Sequence, residues 1–200
     1  SPPVPAGFQF SVSTSARSST TAYFGAHDAR PWSAVRATGY ERAPPANGSY
    51  PTRIEPRRVE ADRVRLLTAP GNAEGAVVAA LDGADRRIDV LQPTLGGPDG
   101  PFVRACLRAG AGGVEVRILL SDAWYVAEEN RALAATLTER AERRGLSLSV
   151  RVAEPAGRYG KVHAKGVVVD ETVIVGSLNW NAASARENRE VALALSGGAV

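Results

Sequence analysis

The sequence predicts an α/β domain in which a layered mixed sheet is flanked by helices. From residue 61 onward, short runs rich in Val, Ile and Leu alternate with longer runs that have the apolar spacing of helices, which is typical of layered α/β domains. The last part of the chain differs, because three β runs follow one another with little room for helices between them. We therefore expect a hairpin near the end of the domain.

Each element of the predicted domain follows from local composition. Seven runs of aliphatic and β-branched residues are predicted to be strands, at 64–68, 87–91, 114–120, 146–152, 162–169, 172–175 and 191–195. Three longer runs are predicted to be helices, at 73–81, 101–109 and 126–144. Pro101 suits the first turn of the second helix, and the Arg-Arg-Gly run at 143–145 suits the end of the third. Asp170 and Glu171 are predicted to form the tight turn of the hairpin.

The chain divides at about residue 60 into two parts of different composition. Residues 1–60 contain eight of the 13 prolines, 13 Ser or Thr and no Leu, whereas all 15 leucines follow them. This head has too few large apolar side chains to build much core. Residues 61–200 are predicted to form the domain, and residues 1–60 to be a linker, a tail or the remnant of an upstream half, with a short strand around 8–12.

Cysteine content and hydropathy exclude several classes of protein, whereas charge leaves the nucleic-acid binders open. One cysteine, Cys106, cannot form an intrachain disulfide, and its spacing from Phe102 and Leu107 predicts a core position. No Cys/His cluster is spaced for structural zinc, and no run approaches the roughly 18 apolar residues of a membrane span. The start Ser1-Pro2-Pro3 is not typical of a signal peptide, so the chain as given is predicted to be soluble, with its compartment left open. Residues 61–200 carry 17 basic and 17 acidic residues, so composition neither favours nor excludes nucleic acid.

A group of polar residues near the carboxyl end carries the chemistry. His163 and Lys165 are two residues apart in a predicted strand, so they share a face. After the turn the chain returns with Ser177 and Asn179, again two residues apart, opposite that pair. The ammonium and amide can donate to the non-bridging oxygens of a phosphate, and a neutral imidazole can attack phosphorus.

Lysine usage also indicates a phosphate pocket. Of the 24 basic residues 22 are Arg, and the two lysines are Lys161 and Lys165. Lysine is a compact point charge and arginine a broad planar fork, so a tight phosphate pocket explains the lysine beside His163. Lys161 itself is more typical of a solvent-facing or loop residue than of a ligand.

These residues resemble the HKD motif of the phospholipase D superfamily. The motif, His-x-Lys-x4-Asp followed by Gly-Ser-x-Asn, is carried here by His163, Lys165, Asp170, Gly176, Ser177 and Asn179. The runs Ser-x-Asn-Trp-Asn and Asn-Arg-Glu, the second ending at Glu190, are most similar to the nuclease-like bacterial and archaeal branch. Five residues separate Asp170 from Gly176 where six are commoner, which predicts a shorter hairpin turn. The resemblance covers about residues 62–198 and implies a phospholipase D/nuclease-like half.

The resemblance implies a phosphodiesterase that needs neither metal nor cofactor. His163 would attack phosphorus and form a phosphohistidine, which water then hydrolyses. Lys165 and Asn179 would hold the phosphate oxygens, Ser177 would add a hydrogen bond, and Glu190 would orient the imidazole.

The resemblance also implies that the site is shared. Such sites use a second histidine as general acid, and this chain supplies one motif. His27, in the Pro/Ser-rich head, has no Lys two residues on and is predicted to be an exposed loop residue. The partner would be a second HKD half, either an identical subunit or an upstream half of the same polypeptide, and the absence of Met together with the coreless head favours the latter. Asp170, at the turn, is expected to fix the strand geometry behind Lys165.

The sequence leaves the substrate open between a phospholipid at a membrane surface and a nucleic acid. Loops at 92–97 and 121–125 are predicted to lie at the carboxyl ends of strands, where open α/β sheets place their sites. The aromatic residues Trp124 and Tyr125 would stack on a base, contact an acyl chain or be buried in packing. The competing function is a catalytically silent phosphate-binding module, which predicts binding of a phosphorylated ligand without hydrolysis.

Overall fold

Seven strands form one mixed sheet in residues 60–153 and 161–197, which are the residues that a computed structural model describes. They are β1 (Arg63–Ala69), β2 (Arg87–Gln92), β3 (Glu115–Ser121), β4 (Leu148–Ala153), β5 (Gly166–Val169), β6 (Thr172–Gly176) and β7 (Glu190–Ser196). Their order across the sheet is β1-β7-β6-β5-β2-β3-β4. β2, β3 and β4 are parallel, and the other pairings are antiparallel, which confirms the predicted mixed sheet. His27 and the strand predicted at 8–12 lie outside the described residues.

The three predicted helices are present, and a short fourth helix was not predicted. They are α1 (Ala73–Asp82), α2 (Pro101–Ala111), α3 (Ala127–Arg144) and α4 (Ala182–Arg186). α4 lies in the segment between β6 and β7, where little room for a helix was predicted. The Asn181 side chain caps it by accepting a hydrogen bond from the Ser184 backbone amide at 2.8 Å, and the helix is too short to show a periodicity in the sequence. In the described segments, none of the helices has both the length and the apolar character that crossing a membrane requires.

The strand predicted at 162–169 begins four residues later than expected. Gly166 pairs with Leu91, and β2 ends one residue beyond, at Gln92. The pairing with β2 begins at Gly166, and of the residue before it the Lys165 carbonyl accepts a hydrogen bond from the Gly176 amide of β6 at 3.4 Å. His163 and Lys165 thus lie in the segment that leads into β5 rather than inside the strand.

The core lies between the helices and one face of the sheet. Alternate side chains of β2 and β3, which are at most 3% exposed, line it: Ile88, Val90, Val116 and Ile118. The first three helices contribute buried side chains to the same cluster, among them Leu81, Phe102 and Leu137. Cys106 is fully buried there, as predicted, and burial raises the pKa of its thiol to about 12. The thiol is therefore protonated and inert at neutral pH.

The turn between β5 and β6 is tied to the start of β2 by one carboxylate. Asp170 and Glu171 form the predicted two-residue turn, and Asp170 has φ 50°, in the left-handed region that Asp tolerates better than most residues. Its carboxylate accepts hydrogen bonds from the backbone amides of Asp85, Arg86 and Arg87 at 2.9, 3.0 and 2.9 Å. These bonds, that from Asp85 first, hold the pKa of the Asp170 carboxyl below its usual range.

Replacing Asp170 by alanine is expected to lower the free energy of unfolding by about 1–3 kcal/mol, because three backbone donors lose their charged acceptor. Asp170→Asn keeps an acceptor oxygen and tolerates the left-handed backbone, so it should lose less. The pKa of the folded carboxyl is depressed, so this stabilisation is present above the pKa of an unfolded aspartate and is lost as the pH falls through the folded value. Urea unfolding at pH 7 measures the change, and an alanine variant as stable as the native chain would contradict the role.

Candidate active site

The residues singled out from the sequence collect at one edge of the sheet, with one exception. β2 and β3 end at this edge; β5, which is antiparallel to β2, begins there, as does β7, and β6 ends there. His163, Lys165, Ser177 and Glu190 therefore lie at the same edge. Asp170 lies at the far end of β5, roughly 16 Å along the strand from Lys165, so it belongs to the hairpin and not to this cluster.

The Lys165 ammonium contacts the His163 ring directly. Its Nζ lies 3.0 Å from Nδ1 and 3.2 Å from Nε2 of the imidazole, and donates a hydrogen bond to the His163 carbonyl oxygen at 2.8 Å. Because the two distances are nearly equal, the ammonium lies against the ring and not along the lone pair of one nitrogen, and a cation this close disfavours a second positive charge on the imidazole. The arrangement therefore favours the neutral imidazole.

The electrostatics around His163 and Lys165 also favour the neutral imidazole. The pKa of the His163 imidazole lies below its usual value because partial removal from water, and then the cations of Lys165 and Lys161, disfavour the imidazolium. Partial burial also lowers the pKa of Lys165, while the charge of Glu190 acts in the opposite direction. A neutral imidazole beside a cation is the form that can attack an electrophilic phosphorus.

The buried Ser184 and the exposed Ser177 connect Glu190 to the rest of the site. The Ser177 hydroxyl donates to one carboxylate oxygen of Glu190 and accepts a hydrogen bond from the Val191 amide at 3.1 Å. The other carboxylate oxygen accepts a hydrogen bond from the Ser184 hydroxyl at 2.8 Å. The same Ser184 oxygen accepts a hydrogen bond from the backbone N–H of Asn179 at 3.0 Å. Ser184, which is 1% exposed, thus links Glu190 to the backbone that carries Asn179.

Sequence analysis missed Ser184 and assigned Glu190 a different partner. The signal for Ser184 was the Asn181-x-x-Ser184 spacing of a helix N-cap, which places the serine in the first turn of α4. The Glu190 carboxylate accepts hydrogen bonds from Ser177, Ser184 and, at 3.4 Å, the Asn188 side chain rather than from the imidazole. Its role in orienting His163 stays a prediction, and what the structure shows is the network with the two serines.

Packing explains why glycine stands at position 176 and tryptophan at position 180. A Cβ on Gly176 would overlap the Val191 carbonyl oxygen and lie 2.5 Å from the Ala192 Cα, so glycine lets β7 pass close to the end of β6. Trp180 is 3% exposed and stacks on Phe102 of α2, with ring centroids 5.0 Å apart. Both contacts fix the segment that holds Ser177 and Asn179.

Two loops at the same edge border the cluster and are tied together. Gly96, with φ +66°, lies against Asn181, where an added Cβ would be 2.6 Å from the asparagine Cβ. The fully buried Asn130 of α3 donates to the carbonyl oxygens of Pro93 and Ser121 at 2.7 and 2.6 Å. The loops that follow β2 and β3 are therefore held as one unit beside the site.

The aromatic residues of the second loop face solvent. Trp124 is 90% exposed and Tyr125 42% exposed, which excludes the buried alternative for this pair. Their rings meet edge to face with centroids 5.5 Å apart. Lys161 is exposed, as predicted, and its Nζ lies 5.3 Å from the centroid of the Tyr125 ring.

The candidate site thus offers an imidazole, an ammonium, a hydroxyl and an amide at one edge of a sheet. This set matches the needs of phosphate chemistry, in which donors hold the oxygens and a nucleophile attacks phosphorus. Across the described ranges, no three His, Cys, Asp or Glu side chains are grouped so that they could hold a metal ion.

Comparison with known proteins supports this interpretation. Residues 77–200 match the family described as "Cardiolipin synthase, PLD-like domain". No curated protein matches the chain significantly.

Three solved structures show a similar fold. NucT from Helicobacter pylori is 18% identical, with a TM-score of 0.55 over 67% of this chain and 85% of that chain. Nuc from Salmonella typhimurium, a phospholipase D family member, is 23% identical, with a TM-score of 0.51 over 68% and 83%. Phosphatidylserine synthase from Haemophilus influenzae is 19% identical, with a TM-score of 0.56 over 68% of this chain and 35% of that chain.

Proposed function

The chain belongs to the phospholipase D superfamily, and we propose that this member is a phosphodiester hydrolase that works through a phosphohistidine. The observation that carries the proposal is the direct contact of the Lys165 ammonium with the His163 ring, which favours a neutral, nucleophilic imidazole. In this proposal the same cation neutralises charge on the phosphate, and the side-chain amide of Asn179 donates to it.

The proposed reaction has two steps. A ring nitrogen of His163 attacks phosphorus, so that a P–N bond forms, the P–O bond to the leaving oxygen breaks, and a general acid gives that oxygen a proton. Water then attacks phosphorus, the P–N bond breaks, and the proton of the water leaves to the group that served as the acid. In both steps the Lys165 ammonium and the Asn179 side chain donate to the non-bridging oxygens, where negative charge develops. The Ser177 hydroxyl would join them only by turning its one proton from Glu190 to the phosphate.

The general acid is proposed to come from a second HKD half. His163 is the one histidine in the described part of the chain, and the nucleophile cannot also protonate the leaving oxygen. The similar fold spans 85% of NucT but 35% of phosphatidylserine synthase, so it forms most of one chain and a minor part of the other. An identical subunit and a further half of a longer polypeptide both fit this requirement.

The two arrangements differ in their dependence on concentration. A homodimer is expected to sediment as a dimer and to lose specific activity on dilution below its dissociation constant. A chain that needs a different half is expected to be monomeric and inactive until that half is added. Sedimentation velocity and activity over the same concentration range measure both. A strict monomer with full activity at every concentration would contradict a shared site.

A panel of three substrates tests the hydrolase directly: phosphatidylcholine, bis-p-nitrophenyl phosphate and plasmid DNA. Turnover of one of them by the assembled form is expected. If a phosphorylated ligand binds and the assembled form turns over none of the three, the hydrolase proposal is wrong and the silent phosphate-binding module takes its place.

The pH profile of kcat/KM is expected to have its acid limb below the ordinary histidine value of about 6.5, because the nucleophile must be neutral and its pKa is lowered. Lys161→Ala removes one of the cations that disfavour the imidazolium, so the limb should move to higher pH. Lys161→Arg keeps the charge and should leave the limb in place. A limb that lies above the ordinary value, or that moves equally in both variants, would contradict a neutral His163 nucleophile.

A further inference from the structure

The loop after β3 presents an aromatic pair at the surface, and Trp124 takes no part in the core. Trp124 keeps 90% of its surface in water, and its partner Tyr125 contributes a ring edge at 5.5 Å between centroids. The other exposed large apolar side chains of the described residues, Val64, Leu119 and Val175, lie in strands rather than in this loop. A large indole presented to solvent by a loop that buried contacts hold in place is available to bind a ligand.

The pair lies beside the site and is connected to it by a cation. The Lys161 ammonium stands 5.3 Å from the centroid of the Tyr125 ring. Lys161 is two residues before His163, and its charge lowers the pKa of both His163 and Lys165. The aromatic surface, one lysine and the candidate nucleophile thus follow one another along the same edge of the sheet.

We propose that Trp124 and Tyr125 form a stacking platform for an unpaired nucleobase next to the scissile phosphate, and hence that the substrate is a single-stranded nucleic acid. The inference rests on the proposed phosphodiester chemistry. Single-strand sites combine aromatic rings, on which bases stack, with cations that follow the backbone, and here Lys161 contacts the Tyr125 ring and is two residues from His163. Bases in a duplex have both faces covered by their neighbours, so the indole face can be used only by an unpaired base.

The charges around the loop favour a nucleic acid over a membrane. Glu128 and Glu129 lie in the first turn of α3, directly after the loop, and both are exposed, whereas Asp122 before the aromatic pair is paired with Arg131 at 2.6 Å. A loop that inserts into an anionic bilayer normally carries basic and further apolar neighbours instead. A bilayer surface is broad and would bring both carboxylates against its headgroups, whereas a single strand is narrow enough to lie beside Lys161 and avoid them.

Binding to two oligomers of equal length tests the platform. One is oligodeoxythymidylate and the other is an abasic chain with the same phosphates, both fluorescently labelled and titrated in a His163→Ala background so that neither is consumed. The unsubstituted platform is expected to prefer the base-containing oligomer. Trp124→Ala should lower that preference about 10-fold, and Trp124→Phe, which retains a ring, should keep most of it. Val64→Ala, which trims exposed apolar surface on β1 at the other end of the sheet, should leave the preference unchanged.

The outcomes separate this inference from the proposed function. The inference is overturned if Trp124→Ala weakens both oligomers equally, if neither oligomer binds, or if Trp124 is needed instead for binding to phosphatidylcholine–phosphatidylglycerol vesicles. Because binding is read without turnover, a base preference that depends on Trp124 stands even if no phosphodiester is cleaved. Conversely, cleavage of DNA with no preference for bases overturns the platform and leaves the hydrolase intact.

Discussion

His163→Ala is expected to lower kcat/KM for a phosphodiester by at least about 10³-fold, because the variant lacks the nucleophile that the proposed mechanism requires. The side chain is exposed, and its ring contacts are with Lys165, so the free energy of unfolding should change by no more than about 0.5 kcal/mol. Steady-state kinetics together with urea unfolding separate a loss of chemistry from a loss of structure.

Free imidazole supplies the matched control for this substitution. Added to His163→Ala, it can attack phosphorus from the space that the side chain leaves, so part of the rate should return. The same addition to the native chain should have little effect. A well-folded His163→Ala variant that keeps a rate within tenfold of the native chain would show that the nucleophile is elsewhere.

Lys165→Arg is expected to lower kcat/KM by at least about 10²-fold even though the charge is kept. The Lys165 Nζ is close to both ring nitrogens of His163 and to its carbonyl oxygen, three contacts that meet at one small ammonium. A planar guanidinium is wider and places its donors in a fork, so it would displace the imidazole or the phosphate. The loss is measured by steady-state kinetics on the substrate that the native chain hydrolyses fastest.

Lys165→Met provides the comparison for the arginine variant, because it is close in length and has no charge. It should lose more activity than Lys165→Arg if charge and shape both contribute. Near-native turnover by Lys165→Arg would contradict the interpretation of the lysine as a compact phosphate ligand, whatever the methionine variant does.

Most of the fold could be predicted because its signals are local. Strand and helix composition is visible over a few residues, and the turn at Asp170 and Glu171 is marked by its own residue types. The start of β5 could not be predicted, since its pairing with β2 begins at Gly166 opposite Leu91, on a distant part of the chain. Helix α4 was missed because five residues are too few to show a periodicity.

The candidate site was predictable in its residue types and not in its connections. His163, Lys165, Ser177 and Asn179 have a spacing that places them together once the hairpin forms. The hydrogen bond from Ser184 to Glu190 depends on β7 pairing beside β6, which the sequence does not show. Exposure of Trp124 likewise follows from how its loop leaves β3, and local composition fits a buried or an exposed ring equally well.

Trapping the covalent intermediate tests the central claim most directly. The native chain is mixed briefly with a phosphodiester that it turns over, the reaction is stopped with alkali, and the peptides are analysed by mass spectrometry. We expect an acid-labile, alkali-stable phosphoryl group on His163, whose yield falls as the substrate is exhausted and which His163→Ala lacks. A chain that turns over its substrate yet carries no phosphate on His163, or carries it on another residue, would contradict the phosphohistidine mechanism.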